Sequence, residues 1–180
     1  MTQNLARSSS TIFRMLLVVV AFGAAVAYST VAFAARDPFW FLSGFQEKPY
    51  RIVVYNAGQP TEYWSGQPGF DRLSEAVRQS LDSGVARQSG IGMGELSLDE
   101  AYGKYLTLEA YFVKPVKLHA GFNTGNPTQM LFPITGRHSE LSTVFLGTQN
   151  GYWVNAPVLK DMQPLRNALK ELGYSLEDPG

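Results

Sequence analysis

Two histidines are the side chains of this chain best suited to acid-base or metal chemistry, and the sequence contains no cysteine. Neither His119 nor His138 belongs to an HExxH or similar helical metal motif. His119 follows the alternating residues Val116 and Leu118, which indicates a structural or surface imidazole. The absence of cysteine excludes disulfides, thiolate catalysis and cysteine-ligated metal. The sequence therefore predicts neither a metal site nor a cofactor.

Residues 135–140 surround His138 with charged and polar side chains. Arg137, Ser139 and Glu140 could hold an anion or another ligand between two strands, although charged residues more often populate an exposed turn. Ser139 also suggests a nucleophile beside His138. Neighbouring residues of an extended chain point to opposite faces, however, and the sequence has no Gly-x-Ser-x-Gly elbow. A hydrolase is therefore the least favoured class of function.

Glycines at positions 90, 92 and 94 resemble a phosphate-binding loop only superficially. They lack the third spacing of a dinucleotide fingerprint, and no strand is predicted to lead into them. Residues 84–94 contain four glycines and few large side chains, so we expect a mobile loop there.

Two aromatic pairs offer candidate binding surfaces. Tyr63 and Trp64, and likewise Tyr152 and Trp153, are neighbours, so one ring of each pair must face away from the core if these segments are extended. Such rings are common at partner surfaces, and cross-strand packing explains them equally well. The candidate ligand- or partner-binding residues of the chain are Tyr63, Trp64, Asn123, Asn126, Arg137, His138 and Trp153.

The first half of the domain is predicted to contain a strand, a return strand and two helices. Residues 50–55 are rich in β-branched and aromatic side chains, and residues 61–64 can return after a hairpin loop. An amphipathic helix follows Pro68, with its apolar residues at helical spacing, and ends at Gly84. Ser97 and Glu100 match a capping box that begins a short helix.

The second half is predicted to consist of strands followed by one helix. Residues 106–113 and 128–134 read as strands, and prolines 115 and 133 mark edges or bulges. Asn150 and Gly151 predict a type I′ turn that pairs Gln149 with Tyr152. The last helix has Asp161 as its expected N-cap, and Gly173 fits its C′ position.

These elements predict a single α+β domain with a mainly antiparallel, open sheet of four to six strands covered by two amphipathic helices. A small β-barrel with appended helices is the alternative.

All 15 acidic residues lie after residue 35, together with 13 of the 15 basic ones, which gives this part a net charge of 13 − 15 = −2. Such a balance argues against nucleic acid as a partner.

Residues 15–35 carry no charge and are long enough to span a bilayer as a helix. We expect an uncleaved single-pass anchor, with the rings of Phe39, Trp40 and Phe41 at the membrane interface. An Ala-x-Ala pattern leaves open cleavage near Ala34, which would release a secreted protein. Arg14 abuts the apolar run, so the N-terminus is predicted inside and the C-terminal domain outside.

The predicted organisation comprises a disordered tail (1–14), the anchor (15–35), a juxtamembrane connector (36–49), the α+β domain (50–176) and a frayed tail (177–180). Because no catalytic constellation stands out, the sequence favours a membrane-anchored, extracytoplasmic interaction or accessory module. Its expected partners are the lipid bilayer, through residues 15–35, and a membrane or envelope protein. A small-ligand-binding or sensor domain is the alternative.

Overall fold

A computed structural model describes residues 3–42 and 44–178 of the chain, with side chains from residue 12 onward. The first helix, α1, spans Gln3–Ala35. Within it, Ile12–Ala35 contains an 18-residue stretch with a mean hydropathy of 2.2 and is long and apolar enough to cross a membrane or to act as a signal sequence. Residues 1–2, 43 and 179–180, which belong to the predicted tails and connector, lie outside the described residues.

The N-terminal tail was expected to be disordered, but the structure continues α1 back to Gln3. The tail contains neither proline nor glycine, so nothing in its backbone stops a helix that the apolar run has nucleated. The charge and polarity of the tail therefore indicated where the apolar span begins, but not where the helix begins.

The domain is built on an open six-stranded sheet. Its strands are β1 (Arg51–Asn56), β2 (Gln59–Trp64), β4 (Leu106–Tyr111), β5 (Gln129–Pro133), β6 (Phe145–Thr148) and β7 (Gly151–Tyr152). Every neighbouring pair is antiparallel, as predicted. The strand order is β2-β1-β4-β5-β6-β7, so β2 and β7 form the two edges and no barrel closes.

Three helices accompany the sheet: α2 (Phe70–Asp82), α3 (Glu95–Gly103) and α4 (Gln163–Glu171). Alternate residues of the sheet share one core cluster with the apolar sides of α2 and α4, as Leu108, Met130, Leu73 and Leu169 illustrate. The opposite side of the strands contributes to a second cluster, in which Leu131 and Phe145 pack with residues of α3 and of the segment before it.

A second, two-stranded sheet was not predicted. Val85–Gln88 forms β3 inside the segment expected to be a mobile loop, and it pairs with β8 (Pro157–Leu159). Three of the four β3 side chains are exposed, so the strand has no buried alternation to reveal it in the sequence. Val116 and Leu118, which alternate as the residues of a strand do, are buried without belonging to a strand.

The β6-β7 turn differs from the prediction by one residue. Thr148 pairs with Gly151 and Gly147 with Tyr152, so Gln149 and Asn150 form the turn. Gly151 has a φ of 111°, whereas Asn150 is not among the non-glycine residues with positive φ, and a type I′ turn requires positive φ at both central positions. A side chain at Gly147 would collide with Gly151 and Tyr152, which favours the observed register.

The backbone expected at Asn150 and Gly151 occurs instead between β1 and β2. Ala57 and Gly58 connect the paired residues Asn56 and Gln59, and both have positive φ, at 47° and 83°. Positive φ at both central positions matches a type I′ turn, whose twist suits a two-residue hairpin. The predicted hairpin is therefore present, although alanine gave no sign of the turn type.

The observed ends of α3 and α4 agree with the predicted ends to within a few residues. Gly94 is the N-cap of α3, three residues before Ser97, which was expected to begin this helix. The N-cap of α4 is Met162, but the Asp161 carboxylate still accepts a hydrogen bond from the Gln163 N–H at 2.7 Å. Gly173 follows α4 with a φ of 91°, as expected of a C′ glycine.

Candidate functional site

The side of β4 that faces away from the α2 and α4 core carries a buried carboxylate. Leu106, Leu108 and Ala110 belong to the main core cluster, and strand alternation places Glu109 on the opposite side of the sheet. Glu109 is only 2% exposed. A buried carboxylate is costly unless hydrogen bonds or an opposite charge compensate it, so its partners define the site.

Four tyrosine hydroxyl groups donate hydrogen bonds to Glu109. Tyr111 bonds to Oε2 at 2.5 Å and Tyr55 to the same oxygen at 3.4 Å. Tyr102 bonds to Oε1 at 3.1 Å, and Tyr152 makes a close hydrogen bond to that oxygen as well. The four tyrosines come from three strands and α3, so the carboxylate joins elements that are distant in the sequence.

The electrostatics of this cluster favour neutral phenols. Burial, followed by the nearby negative charge of Glu109, raises the pKa of Tyr55 from 10.0 to about 12. Burial is also the main cause that raises the pKa values of Tyr102, Tyr111 and Tyr152 above the usual tyrosine value. Protonated phenols remain hydrogen-bond donors, which is the role that the carboxylate requires.

An exposed aromatic surface adjoins the tyrosine cluster at the end of the sheet where β1 begins. The guanidinium carbon of Arg51 lies 4.0 Å from the ring centroid of Tyr111 and 5.6 Å from that of Trp64. Tyr50 and Trp64 have ring centroids 6.0 Å apart and are 39% and 40% exposed. Tyr50, Arg51, Trp64 and Tyr111, together with Val113, which is 76% exposed, are called the Arg51 surface below.

Glu62 fixes two members of the Arg51 surface. Its carboxylate accepts a hydrogen bond from the Trp64 indole N–H at 2.9 Å and lies 3.4 Å from the Arg51 guanidinium. These contacts restrict the Trp64 and Arg51 side chains, while Trp64 remains 40% exposed and the Arg51 side chain 25% exposed. An aromatic surface that is ordered before binding loses less conformational entropy when a partner arrives.

An open cleft of about 580 Å³ lies beside this surface. Tyr50, Tyr111 and Val113 line it on one side. Gln129 and the β6-β7 turn, with Thr148, Gln149 and Asn150, line it on the other. Its volume would accommodate a small molecule, but binding pockets usually bury most of their ligand, and this cleft is open to solvent.

The predicted binding residues of β2 point to opposite sides, as alternation requires. Tyr63 packs against the main core, and its hydroxyl lies 2.8 Å from that of Tyr174. Burial raises the pKa of Tyr63 above its usual value. Trp64 belongs to the exposed Arg51 surface, so it is the member of this pair that a partner could reach.

None of the remaining predicted residues lines the cleft of about 580 Å³. Trp153 packs against the main core, and a side chain at Gly125 would collide with its ring. Asn123 and Asn126 are both exposed. Trp153 therefore contributes mainly to the packing of the core. Its neighbour Tyr152 points to the other side and bonds to Glu109.

Arg137 and His138 line a separate cleft of about 510 Å³. His138 has a φ of 73°, and its ring contacts that of Phe145 at a centroid distance of 5.5 Å. Burial and the positive charge of Arg137 lower the pKa of His138. The Ser139 hydroxyl donates to the Gly136 carbonyl at 2.7 Å, so it is engaged with the backbone of its own turn.

The predicted membrane-interface residues have mixed exposure. Phe39 and Phe41 are 55% and 58% exposed, whereas Trp40 is half-buried. Within the described residues, no group of three or more His, Asp or Glu side chains could hold a metal ion.

Sequence reasoning missed Glu109, its four tyrosines and Arg51 as a connected site. The only available signal was a glutamate at an alternating position of a strand otherwise flanked by Thr107 and Tyr111. Such a residue is ordinarily solvent-exposed, and only the pairing of β4 with its neighbours shows that it is buried.

The fold and the site together define an α+β domain preceded by an apolar helix, with a buried carboxylate-tyrosine cluster beside an exposed aromatic surface. No family model matches the chain, and no similar protein was found among curated proteins or among solved structures.

Proposed function

We propose that this chain is a membrane-anchored interaction module that binds a protein partner through the Arg51 surface. The observation that carries this proposal is the group formed by Arg51 and the partly exposed rings of Tyr50 and Trp64, in which Glu62 holds Arg51 and Trp64 in place. Tryptophan, tyrosine and arginine are the residue types that dominate the binding energy of protein interfaces.

The layering of the domain supports this choice of surface. We propose that the amphipathic helices α2 and α4 cover one face of the sheet, because their apolar sides share a cluster with Ile52, Leu108 and Met130. The other face carries Glu109 and ends at the Arg51 surface. A partner would then contact the Arg51 surface, on the side of the sheet opposite α2 and α4.

The membrane part of the proposal rests on α1. We propose that it remains attached as an uncleaved anchor, with the N-terminus inside and the domain outside. Support comes from the apolar length of Ile12–Ala35, from Arg14 directly before the charge-free run, and from the exposed rings of Phe39 and Phe41 just after it. The short connector keeps any partner site within reach of the bilayer by chain length alone.

A small-ligand or sensor function is the second candidate, favoured only by the cleft of about 580 Å³ beside Tyr111. None of the predicted binding residues lines this cleft, and Arg137 and His138 line another one. An open surface of ordered aromatic residues fits a protein partner better than a small molecule.

Affinity purification of the full chain from mild detergent tests the proposal. Trp64→Ala should lower recovery of a stoichiometric partner at least about tenfold, since interface tryptophans often contribute 2 kcal/mol or more. Leu96→Ala is the matched control, because Leu96 is 82% exposed but lies on α3 outside the Arg51 surface. A wild-type chain that repeatedly emerges alone and monomeric, or a partner retained equally by both variants, would contradict it.

A further inference from the structure

The turn after β5 holds a carboxylate from the far end of the chain. The backbone N–H of Gly136 donates a hydrogen bond to the Asp178 carboxylate, 42 residues further on. Asp178, Arg137, His138 and Glu140 all line the cleft of about 510 Å³. This side of the domain is distinct from the Arg51 surface, so it goes beyond the function proposed above.

The turn is shaped so that a carboxylate can approach its backbone. Gly136 has a φ of 72°, and a side chain there would collide with the ring of Tyr105, which also lines the cleft. The Arg166 guanidinium donates to the Ser139 carbonyl at 3.1 Å and ties the turn to α4. The N–H of Gly136 is therefore presented to the cleft by a supported backbone.

The charge of the cleft is suited to a single carboxylate. Arg137 is exposed, and no salt bridge to it occurs in the described part of the chain, so its guanidinium is available to an acidic group. Glu140 lines the same cleft and would repel a ligand that carries many negative charges. A carboxylate side chain on a short segment, with one backbone donor and one arginine as its partners, fits these groups.

The C-terminal tail supplies such a segment from the same chain. It leaves α4 at Gly173, contacts Tyr63 through the Tyr174 hydroxyl at 2.8 Å, and reaches Gly136 with Asp178. We propose that the cleft is a carboxylate-binding site for an acidic peptide segment, and that the tail closes it through Asp178. A competing acidic segment gains access when the tail leaves.

The test measures binding of a fluorescent synthetic peptide of residues 173–180 to the full chain in detergent micelles. Asp178→Asn in the protein removes the internal competitor, so it should bind the peptide about tenfold more tightly than the wild type if the tail occupies the cleft nine-tenths of the time. Glu177→Gln is the matched control, because it removes the same charge from the neighbouring residue. Adding Arg137→Ala to Asp178→Asn should abolish the gain.

The outcomes separate the proposal from a general charge effect. Equal affinities for the wild type and Asp178→Asn, or an equal gain from Glu177→Gln, would overturn it. Absence of binding to Asp178→Asn would overturn it as well. A peptide that itself carries Asp178→Asn should bind the Asp178→Asn protein at least several-fold more weakly than the natural peptide, and equal binding of the two peptides would contradict carboxylate recognition.

Discussion

Glu109 shows how a residue with an ordinary position in a strand becomes the centre of a site. Its two oxygens accept hydrogen bonds from Tyr55 and Tyr111 on one side and from Tyr102 and Tyr152 on the other. The negative charge is spread over four neutral donors, and no salt bridge to Glu109 occurs among the described residues. The cluster thereby connects the central strands with α3 and the β6-β7 hairpin.

Replacing Glu109 by alanine should lower the free energy of unfolding by roughly 2 to 4 kcal/mol, because buried hydroxyl groups lose their acceptor and a cavity remains. Chemical denaturation of the full chain in micelles, followed by tryptophan fluorescence, measures the change. Glu62→Ala on the same side of the sheet is the control and should cost less than about 1 kcal/mol, as expected of a half-exposed ion pair. Equal losses for the two variants would contradict the central role of Glu109.

The tyrosines of the cluster predict a loss of stability in alkali. Tyr55 ionises near pH 10 in an unfolded chain, but its pKa is raised to about 12 in the folded domain by burial and by Glu109. Its contribution to stability is therefore complete below about pH 10 and is lost as the pH rises towards about 12. Unfolding free energies measured across this range should fall less steeply for Tyr55→Phe than for the wild type. Identical slopes would show that Tyr55 does not titrate as the cluster requires.

At the scale of elements, the presence of a strand was predictable wherever one face of that strand is apolar. The alternation in β4 and the β-branched residues of β1 indicated both strands correctly. The short β3 and β8 have no such pattern, and their pairing joins segments about 70 residues apart, which a local reading of the sequence does not detect. The candidate site was missed for the same reason, since Tyr55, Tyr102 and Tyr152 meet only after the sheet has formed.

The edge of the sheet formed by β2 is protected against pairing with another chain. Both backbone groups of Trp64 bond to Gln67, through the Gln67 side chain and its N–H, each at 2.9 Å. Strand alternation directs Pro60 to the same edge, where it has no N–H to offer. Between Pro60 and Trp64 on this edge, Glu62 directs both its backbone N–H and its backbone C=O outward. One such residue is too little for a further strand to pair with β2, so a partner is expected on the Arg51 surface rather than along the β2 backbone.

Gly151→Val tests the revised hairpin. Gly151 has a φ of 111° and open space around its Cβ position, so the substitution should cost about 1 to 3 kcal/mol through backbone strain without a steric clash. Gly103→Ala is the matched control, because Gly103 lacks a positive φ and its Cβ position is also open. Alanine there should be neutral or stabilise the domain by up to about 1 kcal/mol. Thermal or urea unfolding of Gly151→Val that matches the wild type would show that the hairpin is wrong.

At the scale of the whole molecule, the charge-free run predicted the apolar part of α1, because length and composition alone decide whether a helix can cross a bilayer. Retention of the anchor and its orientation depend on processing and on small differences in flanking charge. Retention and orientation of the anchor are therefore proposals, and the experiment below tests both.

Intact mass spectrometry of the membrane fraction should show a chain that retains residues 15–35. A mature chain beginning near Ala35 would contradict the uncleaved anchor. Because the protein has no native cysteine, Leu96→Cys provides a single exposed thiol for the orientation. A membrane-impermeant maleimide should label it from the extracytoplasmic side, and labelling only after the membrane is opened would contradict the orientation.

Photo-crosslinking in intact membranes tests the central claim most directly, because it reports contacts of the anchored chain in place. A photoreactive amino acid at position 113, where Val113 of the Arg51 surface is 76% exposed, should give a discrete adduct of one mass, and Trp64→Ala should reduce that adduct strongly. The same photoreactive residue at position 96 on α3, where Leu96 is 82% exposed, should give none. Equal adducts from both positions, or no adduct from position 113, would contradict a partner bound at the Arg51 surface.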